Sequence, residues 1–205
     1  MLKKAFWLSI AAGVMIGIGG TVFLACDNRY IGAVMFTVAL LGICQMRLYL
    51  YTGKIGYICY EHRRDDVATV AVTLGGNLLG TLAAGLAVGF MKPGYIETAL
   101  ALCERKLTMA PMQVLVAGFF CGILMYTAVS VYKERDTHMG ILFCVPVFII
   151  CGFEHSIADM FYFFAARLFT GSTALFLLLV VIGNSLGGML IPAFKLLAGE
   201  KCHES

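Results

Sequence analysis

Six runs of mostly apolar residues, at about 5–26, 30–60, 66–91, 108–132, 139–168 and 172–197, alternate with short polar joints along the chain. An apolar run of about 20 residues crosses a bilayer as a helix, and each run reaches that length. No polar joint exceeds about 15 residues, far short of the roughly 50 a soluble domain needs. The pattern therefore predicts a single transmembrane domain over residues 1–205. Met1-Leu2-Lys3-Lys4 before the first run resembles the flank of a signal peptide. At about 22 residues the run is too long for a signal core and reads as a first spanning helix that stays.

Runs two and five are longer than a membrane requires. At about 30 residues each, a straight helix would measure roughly 45 Å against a hydrocarbon core of about 30 Å. Both carry polar interruptions: Gln45, Arg47, Thr52, Gly53 and Lys54 in run two, and Glu154, His155, Ser156 and Asp159 in run five. These predict broken helices, which are tolerable at membrane depth only where the unwound backbone lines a cavity or is buried in protein. The two halves also correspond. Gly76-Asn77-Leu78-Leu79-Gly80 returns as Gly183-Asn184-Ser185-Leu186-Gly187, an offset of 107 residues. The same offset pairs Cys44 with Cys151, Arg47 with Glu154, Leu48 with His155 and Thr52 with Asp159, so the interruptions fall together. Three spans per copy would invert the second copy in the membrane. The predicted fold is all-α: six transmembrane helices in two inverted three-helix repeats, about 5–91 and 108–197, with the second and fifth helices broken.

Composition agrees, with 60% hydrophobic and 13% charged residues and a mean hydropathy of +0.89. The partner this implies is a lipid bilayer. A net charge of +3, dispersed and without a basic stripe, argues against a nucleic-acid partner. The eight cysteines form no C-x-x-C pair, and Cys26, Cys44, Cys59, Cys121, Cys144 and Cys151 lie in apolar runs. They read as buried small hydrophobes, with no metal or disulfide framework. Eight Lys and Arg (Lys3, Lys4, Arg63, Arg64, Lys133, Arg135, Lys195, Lys201) fall on the side of the termini, against five (Arg29, Lys92, Arg105, Lys106, Arg167) on the other. That bias predicts both termini in the cytoplasm.

Ionisable groups inside an apolar run mark a functional site by default. Glu154, His155 and Asp159 make the densest such cluster. Of four histidines, His155 alone sits at membrane depth; His62, His138 and His203 fall in joints or the tail. Its imidazole titrates in the physiological range, so it could give a hydrogen bond or a proton to a passing anion, or serve packing through a backbone carbonyl. Glu154 and Arg47, equivalent under the offset, are expected to pair and bridge the two broken helices. Asp159 either caps the second half-helix or adds negative potential. An intramembrane enzyme is disfavoured. Neighbours on a helix point about 100° apart, so His155 cannot readily activate Ser156, and no H-x-x-E-H metal pattern occurs.

Gly152-Phe153-Glu154-His155-Ser156-Ile157-Ala158-Asp159-Met160-Phe161 resembles the fifth-helix motif of the formate/nitrite transporter family, which normally reads Asn where Asp159 stands. Ala12 to Gly19, Leu50-Tyr51-Thr52-Gly53, Asn77-Leu78-Leu79-Gly80 and the spacing from Lys106 to Gly118 resemble it as well. Two further departures are Tyr49, where the family has a glutamate, and Gly122, where it has an asparagine. The resemblance implies an aquaporin-like homopentamer in a bacterial cytoplasmic membrane, with one pore per subunit and no cofactor. It further implies a small monovalent anion such as formate as substrate, a hydrogen bond between Thr52 and His155, Lys106 as a vestibule lysine that attracts anions, and constrictions at Phe36, Leu40, Tyr51 and Phe148. Proton coupling through His155 would make passage electroneutral. The departures leave nitrite, hydrosulfide or another small solute open as substrate, and an accessory membrane subunit without flux is the remaining reading.

Overall fold

The structure is a computed structural model and describes residues 1–59 and 64–200, with the backbone alone at 64 and 65. Arg63, Lys201, His62 and His203, used above for sidedness and for the histidine census, lie outside the described residues, as do the side chains of Arg64 and Asp65. Among the described residues ten α-helices follow in order: α1 Leu2–Ala25, α2 Arg29–Met35, α3 Thr37–Gln45, α4 Tyr51–Lys54, α5 Arg64–Met91, α6 Gly94–Leu107, α7 Pro111–Arg135, α8 Met139–Cys151, α9 Ser156–Ala165 and α10 Gly171–Leu197. A 3-10 turn over Ile55–Cys59 continues α4.

Four helices, α1, α5, α7 and α10, are each long and apolar enough to cross a membrane. The pair α8–α9 passes the same test as one span bent by 57°, which is the predicted fifth run. Run two becomes the shorter apolar stretch Arg29–Gln45 followed by α4 and the 3-10 turn. The chain is a multi-pass membrane protein.

Both runs break by the same local device. At the end of α3 the Leu48 N–H reaches back to the Ile43 carbonyl at 2.9 Å, with Arg47 left-handed at φ 53°. At the end of α8 the Phe153 N–H reaches the Phe148 carbonyl at 2.9 Å, with Gly152 at φ 73°. This six-to-one closure satisfies carbonyls that a helix end leaves orphaned, and it turns the chain out of the helix. Glycine adopts the left-handed conformation freely; arginine does so against a steric penalty that the closure must offset.

Glycine explains how the long helices meet. A Cβ on Gly80 would lie 2.1 Å from the Ile10 carbonyl oxygen, and one on Gly187 would lie 1.8 Å from that of Phe119. The two G-N-x-L-G segments therefore press α5 on α1 and α10 on α7 at backbone contact, the small-residue packing that membranes favour.

One element was not anticipated. Residues 94–107, read as a joint before run four, form the helix α6, which packs against α9. The cysteines also depart from expectation. Of the six assigned to buried positions, Cys121 is buried, Cys26, Cys44, Cys59 and Cys144 are half-buried, and Cys151 is exposed. An apolar run in a membrane presents one face to lipid or to a neighbouring subunit, so residence in such a run does not imply burial within the chain.

Candidate functional site

Asn77 and Asn184 hold the two breaks in the same way. The Asn77 Oδ1 accepts the Tyr51 N–H at 2.8 Å, while its Nδ2 donates to the carbonyls of Tyr49 at 2.9 Å and Ser9 at 2.8 Å. The Asn184 Oδ1 accepts the Ser156 N–H at 2.8 Å, while its Nδ2 donates to the carbonyls of Glu154 and Gly118, both at 2.8 Å. Both asparagines are fully buried, and each satisfies two backbone groups that breaking the helix exposed while tying them to a carbonyl of a neighbouring long helix, Ser9 of α1 or Gly118 of α7. Their equivalence redefines the register at the breaks. Tyr49 answers to Glu154, Leu50 to His155 and Tyr51 to Ser156, an offset of 105 residues, whereas the asparagines themselves keep 107.

This corrects the expected pairing of Glu154 with Arg47. The two are not equivalent at the breaks, and they face different cavities. Glu154 instead pairs with Lys106, and the same ammonium lies 2.9 Å from the Asp159 carboxylate. All three side chains are largely enclosed: the exposure of Glu154 is 4%, that of Asp159 1%, and that of the Lys106 side chain 15%. Burial works against the charge of Lys106, but the fields and hydrogen bonds of Asp159 and Glu154 outweigh it and raise its pKa above the ordinary lysine value.

His155 caps α9. Its Nδ1 accepts the Ala158 N–H at 3.1 Å, and its Nε2 lies 2.9 Å from the Thr52 hydroxyl. A ring nitrogen that accepts carries no proton, which assigns the neutral ring a proton on Nε2, donated to the Thr52 oxygen. The Thr52 hydroxyl proton is then available to a third group. Phe148 stacks on the imidazole at 5.6 Å between centroids and meets Phe36 edge-on at 6.2 Å.

Two cavities flank this contact. One, of about 510 Å³, is lined by Phe36, Lys106, Phe148, Glu154, His155 and Asp159, together with Asp27, Arg29 and Arg105 near its mouth. The other, of about 560 Å³, is lined by Leu40, Leu50, Gly53 and Val129, with Arg47, Lys54, Lys133 and Asp136 adding charge. Lys106 precedes the start of α7 and Val129 to Asp136 sit at its end, so the cavities lie at opposite ends of a helix roughly 37 Å long. The buried side chains Phe36 and Leu40, one helical turn apart, line one cavity each.

Most of the sequence-predicted residues therefore come together. Phe36, Phe148, His155, Glu154, Asp159 and Lys106 share the first cavity, and Thr52 touches His155 behind it. Leu40 and Arg47 line the second cavity. Tyr51, expected at a constriction, is buried with its hydroxyl 2.7 Å from that of Ser185 and lines neither cavity. Sequence reading missed three roles. Asn77 and Asn184 were singled out as repeat markers only, and Arg29, whose Nη2 donates to the Ile149 carbonyl at 2.8 Å, was counted only as flanking charge. A polar residue fixed in an apolar helix opposite each break was the signal available for the asparagines.

A multi-pass helical membrane protein whose two cavities approach each other across a buried His–Thr contact is the class that this fold and site define. The sequence profile of the formate/nitrite transporter family matches residues 1–197, and the chain belongs to that family. Two Bacillus subtilis (strain 168) proteins are similar to it. The uncharacterized transporter YrhG is 32% identical over 182 residues, covering 82% of this chain and 65% of YrhG. The uncharacterized transporter YwcJ is 27% identical over 176 residues, covering 74% and 69%. The chain thus spans about two-thirds of the length of these relatives. Among solved structures, a pentameric formate channel with formate bound superposes with a TM-score of 0.80 at 24% identity, over 96% of both chains. An FNT family ion channel gives 0.83 at 20% identity, over 95% of this chain and 89% of that one. At these identities the likeness establishes the fold.

Proposed function

We propose that this chain forms a pore for a small monovalent anion, with formate the foremost candidate, one pathway running through each subunit of a homopentamer in a bacterial cytoplasmic membrane. The observation that carries the reading is the hydrogen bond between His155 and Thr52, buried between two cavities that lie at opposite ends of α7. Family membership and the pentameric formate channel of the same fold support the substrate class and the assembly.

The path would have a wet vestibule at each end and a dry middle. Apolar rings block hydrated ions and pass species that shed their water or charge. Phe36 and Phe148 would form the ring below the first vestibule, and Leu40 the ring above the second. Between them, His155 polarises Thr52, whose hydroxyl proton replaces a lost water as donor to the anion. Lys106 would draw the anion in, with Arg29 and Arg105 nearer the mouth. Neutral His155 acts here as an orienting donor, because each ring nitrogen already has a partner.

Uptake of formate, nitrite, hydrosulfide and neutral urea into proteoliposomes, followed by stopped flow for wild type, His155→Asn and Thr52→Val, tests the reading. Anion flux is expected in wild type, with a loss of about tenfold or more in either variant, equivalent to roughly 1.4 kcal/mol on the barrier. Flux of urea alone would overturn the substrate class, and anion flux indifferent to both substitutions would remove His155 and Thr52 from the path.

A further inference from the structure

The Lys106 cluster contains one cation and two carboxylates, where attraction of an anion calls for a surplus of positive charge. With every group ionised it carries a net −1 at the floor of the vestibule. Glu154 Oε2 and Asp159 Oδ1 bind the same ammonium, which holds the two carboxyls close together, and like charges at such quarters favour a proton on one of them. A second observation points the same way. Asp159 lines the cavity at 1% exposure, and its Oδ2 has no hydrogen-bond donor while being closed to solvent. A buried acceptor left bare is costly. A proton on that oxygen removes the charge that makes its burial costly.

We infer that the Glu154–Asp159 pair holds one exchangeable proton beside Lys106 and hands it to the anion that the pore carries. The inference rests on the pore reading above, in which His155 only orients, and adds the carboxyl pair as its proton source. Loaded, the cluster comprises Lys106 at +1, one carboxylate at −1 and one neutral carboxylic acid, and sums to zero. An anion entering the vestibule accepts the proton: the carboxylic O–H bond breaks, an O–H bond to the substrate forms, and the substrate continues as a neutral acid through the apolar rings. The cluster is left at −1 and repels a second anion until a proton from the outer solution reloads it. One proton therefore accompanies each anion.

The groups that could compete for this proton are few. From α6 the pair faces Cys103 and Lys106, from α7 Cys121, and from α9 and its cap Tyr162 and His155. Asp27, Arg29 and Arg105 line the same cavity. Helices α5 and α10 carry charge only near their ends, at Asp66 and Lys195 among the described residues. His155 has both nitrogens engaged, and Lys106 is held charged by the pair itself.

Infrared spectroscopy of the purified protein at pH 7, with the carboxyl carbons of aspartate isotope-labelled, reads the proton directly, whatever the protein transports. Wild type is expected to give a protonated-carboxyl C=O band that disappears in Asp159→Asn, a variant that keeps shape and should assemble normally by size exclusion. Absence of the band in wild type overturns the inference outright. In proteoliposomes, formate uptake by wild type should fall about tenfold per pH unit once the pair is mostly deprotonated, while Asp159→Asn changes less than about twofold over the same range and admits formate as a charge, so that its uptake responds to membrane potential. A variant that retains the full wild-type pH slope would make the proton structural and overturn the coupling. A wild type with the band but no flux of any anion would overturn the coupling by removing the pore reading, and would leave the proton-bearing pair established.

Discussion

Asn184 shows what one residue does at this site. Its side-chain amide closes three backbone groups around the break between α8 and α9 and so fixes the height at which Glu154 and His155 enter the cavity. Leucine fills a similar volume and closes none of them. Two buried backbone groups of the break left unpaired, at about 1–3 kcal/mol each, predict a destabilisation of about 2–6 kcal/mol for Asn184→Leu. Thermal unfolding in detergent checks this, and a midpoint within a degree of wild type would sink the bracket argument. Asn77→Leu should behave alike, because it removes the matching set around Tyr51. The residues of the break, Glu154 and His155, were legible in the sequence as costly groups in an apolar run. Their partners were not. Lys106 and Thr52 lie 48 and 103 positions away from the residues they bind, and only the folded chain brings them within reach.

At the scale of elements, the G-N-x-L-G segments do two things at once: the asparagine holds the break and the flanking glycines let helices touch. The glycine half is directly testable within one helix. On α5, a methyl group at Gly80 meets the Ile10 carbonyl oxygen at 2.1 Å and the Gly13 Cα at 2.9 Å, whereas one at Gly75 meets nothing within 4 Å. Gly80→Ala should therefore destabilise by about 1–3 kcal/mol or more through forced separation of α1 and α5. Gly75→Ala should be neutral or stabilising by up to about 1 kcal/mol from helix propensity. Equal effects of the two substitutions on the unfolding midpoint would contradict the packing assignment. The element that sequence reading missed, α6, is too polar for a spanning helix. Its signature was nonetheless present: Ala99, Cys103 and Lys106 recur at i, i+4 and i+7, with Ala99 and Cys103 buried and Lys106 delivered into the site.

Across the whole molecule, large apolar side chains cover the outside. Trp7 is 60% exposed, Phe90 81%, Phe143 64% and Phe194 61%. A soluble monomer does not tolerate so much, and a lipid bilayer is the surrounding that does. With the homopentamer proposed above, native mass spectrometry from mild detergent should give a five-chain particle, and dilution should dissociate it without loss of helix content. A monomer at all concentrations would confine the pore to a single chain and withdraw the pentamer.

The order of the apolar runs, the helical class, the two interruptions and the corresponding halves were determined by the sequence alone. Hydrophobic length and the unfavourable burial of charge are properties that each segment carries wherever it sits. Which charges neutralise one another was decided only in three dimensions. The 107-residue offset nominated Arg47 for Glu154, but the stretch from break to asparagine is two residues shorter in the first copy, 28 against 30 positions, so the register at the breaks becomes 105 and Tyr49 takes that place. An ion pair depends on the approach of two atoms to within a few ångströms. That distance is set by how α6 docks against α9, and no spacing along the chain encodes it.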